Sequence, residues 1–301
     1  MALTGKSALV CGSGAEDGAA DVCLTLKSHP CFSNLRRLHI RNKKEIIVAD
    51  RALSLDQFKT LRKDNWWLQP LMVVVGLGGF AIYATWAALQ NAHYFVDPYL
   101  SPFYSPCIST NCAHVHLPLI GSWWNISPAF LILWIPGGFR ATCYYYRKAY
   151  YRSFFLSPPA CAVRDASKTY SGETRFPFLF QNVHRYFFYL SLVVLAFLWW
   201  DVFEAFRFPD GFGLGIGTIV LFINATLLSV FSISCNSCRH VCGGYLNSFH
   251  RAPSKYKLWS FVTRFNEKHM EYAWVSLVFV ALTDLYVRLL SMGVISDLRF
   301  F

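Results

Sequence analysis

Charge is scarce in this sequence: only 15% of its 301 residues are Asp, Glu, Lys or Arg, against about 25% in soluble domains. Acidic residues are the scarcer kind, 17 against 28 basic ones, which leaves a formal net charge of +11. That composition excludes a disordered tail protein and a secreted disulfide scaffold. No apolar h-region opens the chain, so its first residues do not read as a signal peptide. No repeat of solenoid or inverted-transporter type is evident. What the chain has instead is 54% hydrophobic residues, including 10 Trp and 27 Phe, a balance that favours burial in lipid over a large aqueous core.

A helix needs roughly 20 apolar residues to cross a hydrocarbon core. Five stretches qualify, running approximately Leu71 to His93, Ile126 to Tyr145, Tyr186 to Phe206, Leu214 to Cys235 and Tyr272 to Leu290. The expected fold is therefore an all-α membrane protein with five transmembrane helices, a cytoplasmic segment at 1–65 and a membrane domain at 66–301. Of the 28 basic residues, 25 fall in 1–70, 139–185 and 239–268, and none lies between His93 and Asn125. By the positive-inside rule the N-terminus and both basic loops are cytoplasmic and the C-terminus is outside. The +11 is thus topological, and no nucleic-acid partner is expected. Trp66-Trp67, Trp123-Trp124 and Trp199-Trp200 sit where interfacial aromatic belts belong. Within the first segment, Ser54-Leu-Asp-Gln57 has capping-box spacing. Gly12-Ser-Gly14 lacks the βαβ context of a dinucleotide loop.

Topology sorts the ten cysteines and nine histidines by side. Outside lie His93, Cys107, Cys112, His114 and His116, with Cys107 and Cys112 spaced for a local disulfide in an oxidising compartment. Near the inner face lie Cys143, Cys161, His184, Cys235, Cys238, His240, Cys242 and His269. Cys235 and Cys238 would share one face of a continuous helix, where two sulfurs can take one metal or cluster. Cys-x-His over Cys238 to His240 matches the first half of a Rieske loop, but the usual Cys-x-x-His partner is absent. A c-type haem needs Cys-x-x-Cys-His, and Arg239 stands in the His position. A structural zinc on Cys235, Cys238 and His240, and a b-type haem between His184 and His240 or His269, stay open. A quinone-linked thiol oxidase would need a second outer cysteine pair, which Arg207 to Gly213 lacks. The ionisable residues within spans, Asp201, Glu204, Asp284 and Arg288, are expected to pair with one another across the bundle.

Six segments carry a family likeness: Pro102-Phe-Tyr-Ser-Pro-Cys107, Arg140-Ala-Thr-Cys143 through Arg152, Ser157-Pro-Pro-Ala-Cys161, Gln181-Asn-Val-His184 through Tyr189, Cys235 to Gly244, and Asp284-Leu-Tyr-Val-Arg288. From about Trp66 onwards the chain resembles the membrane-anchor subunit of bacterial succinate dehydrogenase, in the branch of respiratory complex II with a single five-helix anchor. The resemblance implies a multi-pass protein of the bacterial inner membrane with no dicarboxylate site of its own. Its partners would be a flavoprotein subunit, an iron-sulfur subunit, lipid and quinone. It also implies a Rieske-type 2Fe-2S cluster, with haem b as the alternative cofactor. The ligands expected on that basis are Cys235, Cys238, His184 and His240, then Cys143 and Cys161 as further thiolates and His269 as a further imidazole. Arg140 and His269 are the expected quinone-binding residues.

Overall fold

The structure is a computed structural model that describes residues 60–108, 127–166, 178–244 and 248–301. The chain separates into two units, Met1–Lys59 and Thr60–Phe301, and the account below concerns the second. The Gly12 and Ser54 motifs, Cys112, His114, His116 and Trp123-Trp124 lie outside the described residues.

The described residues form eight α-helices: α1 (Leu68–Gln90), α2 (Ala129–Ala141), α3 (Tyr144–Ser153), α4 (His184–Glu204), α5 (Ile216–Ile233), α6 (Asn236–Gly243), α7 (Pro253–Asn266) and α8 (His269–Ser291). Two antiparallel two-stranded hairpins fill turns, β1 (Phe95–Val96) with β2 (Tyr99–Leu100) and β3 (Arg207–Phe208) with β4 (Gly211–Phe212). In the bundle α8 packs on α5 and α1, α4 packs on α2 and α5, and α3 lies along α1.

Among the described residues, four helices are long and apolar enough to cross a membrane: α1, α4 with its leading turn, α5 and α8. The expected span from Ile126 to Tyr145 is instead a 13-residue apolar helix, α2. Pro136 inside it cannot donate a backbone hydrogen bond. The chain then turns out of the helix at Cys143, which is extended at φ −65°, ψ 133° and opens α3.

Polarity in this bundle is inverted relative to a soluble core. Met72, Val75, Ile82, Val193, Val278 and Leu282 point outward, while Thr218, Asn224, Ser276, Thr283, Asp284 and Arg288 are buried. Apolar side chains facing outward along every long helix are what a lipid solvent selects, because backbone polarity is already satisfied inside a helix. Trp67 and Trp200 are exposed as interfacial anchors would be, whereas Trp199 turns inward and donates to Ser229 Oγ at 2.9 Å.

Three of the four buried charges, Glu204, Asp284 and Arg288, pair locally and not across the bundle, while Asp201 is buried with Oδ2 unpartnered among the described residues. Arg288 donates through Nε to Asp284 Oδ2 at 2.7 Å, one turn away on α8. Its remaining nitrogens reach the carbonyls of Ala87 and Ala92, both at 2.9 Å, and Gln90 Oε1 at 3.1 Å. Asp284 also accepts from Tyr83 Oη at 2.7 Å and from Ser101 Oγ. Glu204 pairs with Arg207 at 3.0 Å, three residues on. This network ties the C-terminal end of α1 to α8 and makes a rigid far end. Cys107, at that end, is disulfide-bonded.

Candidate functional site

The opposite end of the bundle brings together the C-terminal ends of α2 and α5 and the first residues of α4 and α8. Phe139, Cys143, Phe188, Phe231, Cys235 and Ala273 form one buried cluster there. His184 opens α4 and His269 opens α8. His269 is 1% exposed.

Two cysteine and histidine pairs result. His184 Nε2 lies 3.2 Å from Cys235 Sγ, and His269 Nε2 lies 3.4 Å from Cys143 Sγ. Behind each ring stands a hydroxyl. Thr142 Oγ1 is 2.8 Å from His184 Nδ1, and Ser234 Oγ is 2.7 Å from His269 Nδ1. A phenyl ring stacks on each imidazole, Phe139 on His184 and Phe231 on His269, both with centroids 5.0 Å apart and nearly parallel.

The two pairs come from one local pattern used twice. Phe139-Arg-Ala-Thr142-Cys143 and Phe231-Ser-Ile-Ser234-Cys235 share the order Phe-x-x-(Ser/Thr)-Cys. In each, the long helix ends one residue before the hydroxyl residue, which is the C-cap, and the cysteine is extended and begins a short helix. A histidine then opens the next long helix. This short correspondence was visible in the sequence, but as five residues it is far below the period of a repeat architecture.

Among the residues expected from sequence, Cys143, His184, Cys235 and His269 meet as pairs, and Cys238 packs against the same cluster from its edge. Cys235 is the N-cap of α6, extended at ψ 144°, and its sulfur accepts from the Ser237 N–H at 3.4 Å. Cys235 and Cys238 therefore do not sit on one continuous helix, and the i, i+3 geometry does not apply. Cys238 is half-buried near Cys242. Burial first, then that neighbouring thiol, push it up to about 12, so it is protonated at neutral pH. His240, on α6, borders a cavity with Arg185, Arg239 and Trp259. Cys161 is exposed, and its carbonyl accepts from Arg62 at 2.8 Å. Sequence reasoning missed Thr142, Ser234, Phe139 and Phe231. Among the described residues no group of three or more His, Cys, Asp or Glu closes on a point as the cage of a single ion would.

Arg140 lies beside the pairs. Its guanidinium sits 4.6 Å over the Phe231 ring and donates to Tyr146 Oη, to the Ala273 carbonyl at 3.1 Å and to Ser276 Oγ at 3.1 Å. Tyr146 Oη donates to the Ala273 carbonyl at 2.6 Å. Next to them a cavity of about 190 Å³ is lined by Tyr145, Tyr146, Lys148, Arg152, Ala273 and Trp274, among others. The Tyr145 ring is 5.3 Å from that of His269, so the cavity and the paired centre share a wall.

Fold and site together define a multi-pass membrane protein with buried thiols and imidazoles at one end of its spans. The chain belongs to the actinobacterial succinate dehydrogenase subunit SdhC family, whose pattern matches residues 68–293, and it is a membrane subunit of that enzyme. A chain of the Mycobacterium smegmatis Sdh1 complex in the apo form is similar to it, with 46% identity and a TM-score of 0.74. That likeness covers 83% of this chain and 97% of the other. No curated protein matches the chain.

Proposed function

We propose that this chain is the electron-transfer and quinone-binding anchor of its succinate dehydrogenase, working through a Rieske-type 2Fe-2S cluster on Cys143, Cys235, His184 and His269. The flavoprotein partner would convert succinate to fumarate, releasing two electrons and two protons. The iron-sulfur partner would pass the electrons here, and quinone would take up two electrons and two protons to leave as quinol. The basic end of the bundle would face the cytoplasm and those partners, in keeping with the positive-inside rule.

The observation that carries the reading is the donor set: two thiols and two imidazoles, buried together, each imidazole backed by a hydroxyl. That composition fits a Rieske centre, which shares four protein donors between two irons and so needs no four-donor cage round one ion. When bound, such a cluster supplies a one-electron relay at a potential raised by imidazole ligation. This chain's own residues supply the rest. Phe139, Phe231, Phe188 and Tyr146 exclude water from the donors. Lys148 and Arg152 offer polar contacts in the neighbouring cavity for quinone carbonyls, against the apolar wall of Trp274. Arg140 holds Tyr146 between that cavity and Phe231.

EPR on the dithionite-reduced purified complex, beside an optical haem assay on the same sample, tests this. A Rieske-type signal without haem absorption is the expected result. A b-haem spectrum with no such signal would overturn the cluster and turn the histidines into axial ligands.

A further inference from the structure

We infer that Thr142 and Ser234 are positioning residues that fix the tautomer and the aim of His184 and His269, leaving Nε2 of each ring as the free donor nitrogen. The inference rests on the cluster reading above and concerns how this chain prepares its two imidazoles.

The argument is one of proton counting. A hydroxyl has one hydrogen to donate. Thr142 Oγ1 donates it to the Gly138 carbonyl at 2.7 Å, and Ser234 Oγ donates it to the Phe231 carbonyl at 2.9 Å. Both acceptors are carbonyls in the last turn of the preceding helix. Each oxygen then has only lone pairs to present to the imidazole nitrogen 2.8 or 2.7 Å away. Nδ1 must therefore carry the hydrogen. In a neutral ring that leaves Nε2 bare, and Nε2 is the atom that faces the thiol in both pairs.

The stacked phenyl rings add a second restraint. Phe139 lies at 6° to His184 and Phe231 at 11° to His269. With hydroxyl and phenyl both fixed to the end of one helix, the ring can neither flip nor tilt at low cost. The connectivity also crosses over. Thr142 clamps His184, which faces Cys235, while Ser234 clamps His269, which faces Cys143. Each short segment thus supplies the thiol for one imidazole and the clamp for the other, so neither half of the centre is positioned without its counterpart. Two segments far apart in sequence arrive at the same clamp, which a role in filling space does not require.

A hydrogen bond from the remote N–H makes an imidazole a better donor to metal, and losing such a partner typically lowers metal affinity about 10- to 100-fold. The test uses the purified succinate dehydrogenase complex with Thr142→Val and Ser234→Ala, and with Thr142→Ser and Ser234→Thr as hydroxyl-keeping variants. Readouts are iron content, the EPR-monitored midpoint potential, and nitrogen couplings of the reduced centre with labelled histidine. The expected result is a higher midpoint potential, lower iron content and an altered remote-nitrogen coupling in Thr142→Val and Ser234→Ala, and wild-type values when the hydroxyl is kept. Unchanged potential and couplings in both hydroxyl-free variants would overturn the inference. Where those variants do not assemble, a shifted potential in both hydroxyl-keeping variants overturns it, and wild-type values there uphold it. A wild-type complex without a two-imidazole signal would sink the cluster reading itself, a result distinct from either.

Discussion

Gly138 on α2 faces Phe187 on α4 so closely that a Cβ at Gly138 would lie 2.2 Å from the Phe187 ring. Trp134, one turn earlier on α2, meets the same ring edge-on, with centroids 6.1 Å apart. Phe187 sits three residues after His184, so this contact sets how near α4 comes to the end of α2, and with it the distance from His184 to Thr142. Gly138→Ala is expected to force the helices apart and to destabilise the subunit by about 1–3 kcal/mol, the usual cost of overpacking. Thermal unfolding of the purified complex would measure it. An unshifted midpoint would show that Phe187 can move aside.

The paired centre makes a sharper prediction. Replacing Cys143, Cys235, His184 or His269 singly by Ala should abolish quinone reduction and the Rieske-type signal together, while succinate oxidation by a soluble artificial acceptor continues in the partner subunits. Cys161→Ser and Cys238→Ser should leave the signal in place, since Cys161 is exposed and Cys238 lies beside Cys242. A signal that survives Cys143→Ala but disappears in Cys238→Ser would reassign the thiolates.

How much of this was legible beforehand follows from the range of the interactions involved. Four of the five expected spans are long apolar helices, because lipid burial imposes a length and composition that any single segment displays by itself. The fifth expected span is found as the shorter apolar helix α2, which ends at the turn into Cys143. Depth in the membrane gathered at one end the cysteines and histidines that the structure pairs. Choosing among them required knowing that Cys235 caps a helix and does not lie within one, which is a backbone property that i, i+3 spacing cannot register. Thr142 and Ser234 went unremarked because a hydroxyl beside a cysteine has no meaning until the histidine it meets, 42 or 35 residues away, is in place. Asp284 and Arg288 do pair, but one turn apart on α8 and not across the bundle, Glu204 finds Arg207 three residues on, and Asp201 Oδ2 is left without a partner among the described residues.

Arg140 is expected to matter through its shape as much as its charge. A planar guanidinium reaches Tyr146, Ala273 and Ser276 at once while stacked over Phe231, and an ammonium at the same place cannot keep all four contacts. Arg140→Lys should therefore lower kcat/KM for quinone, by about tenfold or more if about 1.4 kcal/mol of positioning is lost, with the EPR signal still present. Steady-state kinetics with a soluble quinone analogue, set beside the spectrum, separates the two. Equal loss of signal and rate would instead make Arg140 part of the centre's scaffold.

At the far end, Asp284 and Arg288 are 0% and 1% exposed, so neither charge has water to fall back on. Each is fully engaged: the guanidinium by Asp284, Gln90 and the carbonyls of Ala87 and Ala92, the carboxylate by Arg288, Tyr83 and Ser101. Removing one partner leaves the other as an uncompensated buried charge, which costs about 3–5 kcal/mol. Replacing both with apolar residues of similar volume is often neutral or even stabilising in soluble proteins. Here the double change should still destabilise, because the Ala92 carbonyl, Tyr83 and Ser101 would lose their Arg288 or Asp284 partner as well, while the Ala87 carbonyl keeps Tyr104 Oη. The expected order of thermal stability is therefore wild type, then Asp284→Leu with Arg288→Met, then either single variant. A double variant as stable as wild type would mean that the Ala92 carbonyl, Tyr83 and Ser101 find other partners. A single variant as stable as wild type would mean that the pair does not hold α1 to α8 at all.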